Sequence, residues 1–295
     1  MKCVNLPEIM TAKVISICNL KGGVGKTTIV MALAEYLAGD TMYKKRVLAI
    51  DLDPQSNLTS ALMSEEVWEK EFNNRGLTLP FLFKNPEYFL DSAKNEKFIA
   101  KNNISNVRNK NSFFRLHLIP SSPNLFEIQE GLPSGYYSLN LKPVELLRTI
   151  LKPLLNNYDY ILIDCAPNIN TVIKSAFLAS NACVIPCVPN RMSIHGLEIL
   201  LDHIDKFNRD FEHSLKPVGT LISRYNGTLA QTENLNFIIG HPFFPTVFQT
   251  KIPERAKIAE SLDLSIELTY RQKYGGDAHE SMLKLTKEFI QRVGK

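Results

Sequence analysis

The sequence predicts an α/β protein: a doubly wound, mostly parallel sheet with helices on both faces. Three observations predict it. Short apolar runs alternate with helical segments along the chain. Most of those runs are continuously apolar, as strands buried on both faces are. The first run opens into a glycine-rich turn and then a helix, the local order of a phosphate cradle.

Taken in chain order, strands are expected at Val14–Cys18, Val47–Ile50, Leu116–Ile119, Tyr160–Ile163, Ala182–Val188 and Val218–Ile222. Helices are expected at Thr27–Leu37, Leu141–Leu155, Thr171–Ala179, His195–Phe207 and Ala278–Val293. In His195–Phe207, Leu197, Leu200, Leu201, Ile204 and Phe207 make one apolar stripe, and Met282, Leu285, Phe289 and Val293 do the same in the last helix. No repeat or linker divides the chain, so a single domain over residues 1–295 is expected. A helical insertion is expected at about 64–115, where Trp68, Phe72, Phe81, Phe83, Tyr88 and Phe89 call for a packed environment.

Composition narrows the class. The chain is 44% hydrophobic and 22% charged, the range of globular proteins. No apolar run reaches ~18 residues, so no transmembrane helix is expected, and Met1–Ala12 lacks the pattern of a signal peptide. The five cysteines are dispersed, which fits reduced thiols in a cytoplasmic protein. The net charge is +4, and residues 84–115 carry seven basic side chains against three acidic ones. That stretch reads as a basic excursion or a solvated loop.

The chemistry-bearing segment is Lys21-Gly22-Gly23-Val24-Gly25-Lys26-Thr27-Thr28. Glycines let backbone N–H groups approach an anion closely and allow positive φ. Lys26 is placed to reach the β- and γ-phosphates, and the Thr27 hydroxyl to ligate Mg²⁺. Further on, Asp51 and Asp53 end a strand at i and i+2, on one side of the extended chain, with Gln55 and Asn57 following. Tyr160-Ile161-Leu162-Ile163-Asp164 is an apolar strand ending in a carboxylate, where Asp164 would hold Mg²⁺ through a water. Two later segments close the series: Val184-Ile185-Pro186-Cys187-Val188-Pro189-Asn190, and Thr250-Lys251-Ile252-Pro253-Glu254-Arg255. Asn226, after a strand end, is either a contact for the adenine edge or a turn residue.

These motifs, in this order, resemble the ParA/MinD family of deviant P-loop ATPases. Leu20 stands where the usual loop has its first glycine, and a second lysine, Lys21, follows. The resemblance implies ATP and Mg²⁺ as cofactors and a homodimer with two nucleotides sandwiched between subunits. In that dimer Lys21 would touch the partner's ATP, and charge supplied in trans can be worth about 10³–10⁵ in rate. It implies that Asp53 positions the attacking water, that Asp51 supports the metal and the loop, and that Ile252 and Pro253 pack on adenine. Position 254 departs from the pattern, with Glu where a basic residue is common.

ParA-type relatives bind double-stranded DNA non-specifically and answer to a ParB-like adaptor. The candidate DNA contacts here are Arg224, Lys251, Arg255, Lys257, Arg271 and Lys273. About 12 residues precede the first strand, so no helix-turn-helix is expected. The alternatives are a MinD-like membrane-cycling ATPase, with Phe289–Lys295 as its amphipathic tail, and a nucleotide-dependent scaffold with little turnover.

Overall fold

Among the described residues, six strands form one all-parallel sheet: β1 (Lys13–Ile17), β2 (Val47–Leu52), β3 (Leu116–Ile119), β4 (Tyr160–Cys165), β5 (Ala182–Cys187) and β6 (Lys216–Ile222). Their spatial order is β3-β2-β4-β1-β5-β6. The structure, a computed structural model, describes residues 12–85, 88, 95–108, 115–130, 142–254, 264 and 266–294. The principal helices are α1 (Lys26–Ala38), α2 (Asn57–Leu62), α3 (Thr171–Ala179), α4 (Arg191–Asp210), α5 (Leu229–Gly240), α6 (Tyr270–Tyr274) and α7 (Gly276–Val293).

Successive strand side chains point to opposite faces, and here both faces are covered. Ile15, Ile17, Val47 and Ala49 share one core with α1 and α7. Val14, Leu48, Ile50, Ile161 and Ile163 share the other with α3 and α4. β2 and β4 each run two residues past the expected apolar run, because Asp51 pairs with Asp164 and Leu52 with Cys165. α4 starts at Arg191 rather than His195, since the Asn190 side chain caps it by accepting from the Ser193 N–H at 2.9 Å. The helix expected over Leu141–Leu155 is shorter among the described residues, from which Leu141 is excluded. Leu146–Leu151 is α-helical, flanked by 3₁₀ turns at Pro143–Glu145 and Lys152–Leu154. Pro143 opens the first turn, where it needs no N–H partner, and Pro153 in the second lacks the N–H that would extend the α-helix.

The described residues of 64–115 include small packed helices. Leu79–Lys84 buries Leu79, Leu82 and Phe83, and a π-helical turn at Trp68–Asn73 lets the Trp68 indole donate to the Ser121 carbonyl at 3.0 Å. Phe81 stacks on Phe98 with ring centroids 5.6 Å apart. Three described basic residues of 84–115 are tied to acids, Lys84 to Glu127, Lys101 to Glu96 and Arg108 to Glu267, while Arg115 donates to the Lys44 carbonyl at 2.8 Å. Phe89, Lys94 and Lys110 lie outside the described residues. So do the residues of 255–263.

The side of α1 away from the sheet carries a buried charge. Glu35 accepts from Lys273 Nζ (2.6 Å), the Tyr274 hydroxyl (2.6 Å) and the Ser105 hydroxyl (2.5 Å). Both members of the Lys273–Glu35 pair are fully buried. This corrects the assignment of Lys273 to a DNA surface. Its ammonium neutralises a core carboxylate and fastens α6 to α1.

Cys18, Cys165, Cys183 and Cys187 are buried and unpaired. Burial raises the Cys165 and Cys187 thiols, Cys187 to about 12, and contact with Cys183 followed by burial raises Cys18. They are therefore poor nucleophiles. Among the described residues no His, Cys, Asp or Glu cluster is arranged to hold a metal by itself. Among them, too, no helix is long and apolar enough to cross a membrane.

Candidate active site

β1 lies between β4 and β5, so the chain reverses its winding there, and the carboxyl end of β1 is the natural place for a ligand. The turn leaving β1 is pinned at its start. The Asn19 amide donates to the Pro186 carbonyl of β5 at 2.6 Å and accepts from the Lys21 N–H at 2.9 Å. Gly23 (φ 72°) and Gly25 (φ 83°) then take left-handed conformations that a side chain would strain. Val24 turns inward and is buried, and its carbonyl accepts the Ser223 hydroxyl at 2.8 Å. α1 begins at Lys26 with no side chain capping its first turn. Its N–H groups are left for an anion, with the positive end of the helix dipole behind them.

A cleft of about 730 Å³ opens over this turn, walled by Gly22, Gly23, Gly25, Lys26, Thr27 and Thr28 on one side. Asp53, Gln55 and Asn57 form another wall, and Ile252 and Pro253 a third. The Lys26 ammonium lies across the loop and donates to the Lys21 carbonyl at 3.1 Å. Burial lowers its pKa, against the opposing pull of Asp164 and Asp53.

Parallel register brings the carboxylates together. Asp164 on β4 pairs with Ile17 of β1 on one side and Asp51 of β2 on the other. Both Asp164 carboxylate oxygens are buried without a hydrogen-bond partner. Burial, then the Asp51 charge, push its pKa well above the ordinary range, while the Thr27 hydroxyl and Lys26 oppose the shift. A buried, unsatisfied carboxylate beside a threonine hydroxyl fits a hard cation such as Mg²⁺.

Asp51 is different. It accepts from the Thr59 N–H (2.8 Å), the Thr59 hydroxyl (2.7 Å) and the Asp53 N–H (3.1 Å). Burial raises its pKa to about 6 against those bonds. This corrects its placement among the metal ligands: Asp51 anchors the loop that presents Asp53. Asp53 in turn accepts from the Gln55 N–H at 2.9 Å through one carboxylate oxygen. Among the described residues its other oxygen has no hydrogen-bond partner, and the side chain lines the cleft.

Asn226 is not among the walls of the cleft. Its side-chain oxygen accepts from the Thr228 N–H at 3.2 Å, the bond of a turn residue. Arg224, expected on a DNA surface, lies instead at the cleft, against Gly23 and Glu254. Lys251 and Arg271 are exposed, and Arg255 and Lys257 lie outside the described residues. Sequence reasoning did not single out Asn19 or Ser223 as loop anchors. Both act through backbone carbonyls distant in sequence, and no local spacing signals that.

A glycine-rich phosphate cradle with its lysine, a strand-end carboxylate for Mg²⁺ and a second strand-end aspartate define a P-loop nucleoside triphosphatase. Comparison with known proteins makes the class specific. The family described as an AAA domain matches residues 12–217, and the chain belongs to it. It is a P-loop ATPase of the ParA/MinD type, an ATP hydrolase. An uncharacterized protein of Pseudomonas putida is 30% identical over 283 residues, covering 95% of each chain. The chromosome-partitioning ATPase Soj of Treponema pallidum is 28% identical, covering 96% of this chain and 99% of its own. In three dimensions the ATP complex of Cyanothece McdA superposes with a TM-score of 0.72 at 22% identity, over 95% of this chain and 97% of the other, a likeness of fold.

Proposed function

We propose that this ATPase is a ParA-type positioning protein. It forms an ATP-sandwiched homodimer, binds double-stranded DNA without sequence preference and releases it on hydrolysis. In this way it partitions or positions plasmid, chromosome or large protein cargo through a ParB-like adaptor. Lys21 is the observation that carries this reading. Lys26 already supplies the cradle's cation from the same chain. Lys21 stands on the rim, its Nζ resting on the neutral Asn190 side-chain oxygen at 3.3 Å. It shares a pocket of about 230 Å³ with Val188 and Asn190. A lysine with so weak a local partner is free to reach a second subunit.

Within each subunit Thr27 and Asp164 would hold Mg²⁺, which neutralises phosphate charge when bound. Asp53 orients water at the phosphate end of the cleft. Phosphoryl transfer needs such positioning and neutralisation more than proton abstraction. Lys251 and Arg271 are the exposed cations left as DNA contacts among the described residues first considered. Duplication of a weak patch by dimerisation raises affinity steeply when both halves engage.

The test is binding of double-stranded DNA in the apo, ADP, ATP and slowly hydrolysed-analogue states over a salt series. Binding confined to triphosphate states and falling steeply with salt is expected. Equal binding with and without ATP would refute the coupling. A membrane-cycling protein would instead bind liposomes in the triphosphate states and leave DNA alone.

A further inference from the structure

Arg224 is placed unlike an ordinary surface charge. It sits just past the end of β6 with φ 49°, a left-handed backbone that non-glycine residues seldom adopt. The Gln231 side chain holds that turn, donating to the Arg224 carbonyl at 3.2 Å and accepting from the Asn226 N–H at 2.8 Å. Strain kept in place by such bracing is a mark of functional positions. The guanidinium is aimed at the nucleotide cleft. Its Nη1 donates to the carbonyl of Gly23 in the phosphate loop at 3.1 Å. Its Nε and Nη2 donate to one oxygen of Glu254 at 2.9 and 2.5 Å. Arg224 therefore joins the phosphate loop to the segment carrying Ile252 and Pro253, and it lines both the cleft and the small pocket beside Lys21.

A guanidinium offers five N–H donors, and these three bonds leave two without a partner among the described residues. The Lys26 ammonium, which marks the β,γ end of the cradle, rests on the Lys21 carbonyl two residues from Gly23. The free donors of Arg224 thus belong to the end of the loop where a triphosphate carries its extra charge. Glu254, half-exposed and in contact with the same group, offsets that charge while no phosphate is there.

We propose that Arg224 binds the phosphates of the nucleotide directly, as a second cation from the same chain beside Lys26, and that Glu254 is the counter-charge that limits its hold on them. Arg224 then favours triphosphate over diphosphate. An arginine suits the place because its planar fork keeps Gly23 and Glu254 while leaving donors free, which a lysine cannot do. The inference rests on the nucleotide half of the proposed function and is independent of DNA.

The experiment is titration of the full chain, with Mg²⁺, against ADP and a slowly hydrolysed ATP analogue, using wild type, Arg224→Ala, Arg224→Lys and Glu254→Gln. Thermal melts confirm that each variant is folded. Removing charge-assisted bonds to a phosphate should cost Arg224→Ala about tenfold or more in analogue affinity, and much less in ADP affinity. Arg224→Lys should recover part of that loss, and Glu254→Gln should tighten analogue binding. Unchanged affinities in Arg224→Ala, or equal weakening by Arg224→Ala and Glu254→Gln, overturn the proposal, the second by showing only a structural brace. If Arg224→Ala does not fold, tightening or weakening in Glu254→Gln still decides it. A wild type that binds neither nucleotide would sink the ATPase reading as well, whereas a binding wild type with indifferent variants sinks this inference alone.

Discussion

Replacing Lys273 with Met tests whether the C-terminal helices are fastened to the phosphate-loop helix by a buried ion pair. Lys273 and Glu35 are both fully buried, 2.6 Å apart, and two hydroxyls complete the carboxylate's shell. Removing one member of such a pair leaves an uncompensated charge in the core and typically costs about 3–5 kcal/mol. Unfolding entropy near 60 °C is about 2.1 cal/mol/K per residue. Over 295 residues the loss becomes a fall in Tm of about 5–8 °C. Replacing both residues at once, Lys273→Met with Glu35→Leu, removes the stranded charge, and most of the loss should return. The assay is a thermal melt followed by circular dichroism, with DNA binding measured in parallel. A single variant melting within a degree or two of wild type while losing DNA affinity would refute the burial argument and restore Lys273 to the surface. A double variant as unstable as the single one would show that shape, not charge, sets the cost.

Three further outcomes are expected. Lys26→Ala should abolish nucleotide binding, whereas Lys21→Ala should keep it and lose turnover and the nucleotide-dependent dimer, as read by sedimentation; normal hydrolysis by Lys21→Ala would remove its role in trans. Asp164→Asn should lower Mg²⁺-dependent hydrolysis by about 10²–10³, the scale for losing one preorganised electrostatic contact. Because burial raises the folded-state pKa of Asp164, its contribution to stability is present at low pH and lost as pH rises through that pKa. The Asn variant should therefore melt above wild type at pH 8 in chelator, with the gap closing in acid; a lower melting point throughout would contradict this. His117, whose ring meets the Tyr158 hydroxyl at 2.8 Å, is held down to about 4 by burial and then by the Lys101 charge. Its contribution to stability is lost as pH falls from about 6.5 towards 4. The slope is below about 1.4 kcal/mol per pH unit, since the ring is partly exposed and screened. His117→Gln should flatten that part of the profile, and denaturant melts at pH 4.5, 5.5 and 7 would show whether it does.

Much of the site is local and was therefore legible in the chain. The Lys21–Thr28 turn states its own geometry, because glycine, lysine and threonine at those spacings have few other uses. Asp164 at the end of an apolar run announces a strand-end carboxylate. Asp51 and Asp53 were equally visible as a pair, yet their division of labour was not. It depends on Thr59, eight residues on from Asp51, closing over one carboxylate and leaving the other at the cleft. Strand ends were read short for a related reason: polar residues at the ends of β2 and β4 are kept in the ladder by their neighbours.

By itself the sequence determined the fold class, the phosphate cradle, its cations and the carboxylate that fits Mg²⁺. Those features follow from side-chain period and from bonds between residues close in the chain. Only the tertiary structure decided what each basic side chain does. Lys273 and Arg224 look like surface charges in the sequence, because a charge's partner is chosen by packing between distant segments. Glu35 lies 238 residues from Lys273, and Gly23 lies 201 from Arg224. Burial makes one a core ion pair, and the approach of β6 to the phosphate loop makes the other part of the nucleotide site.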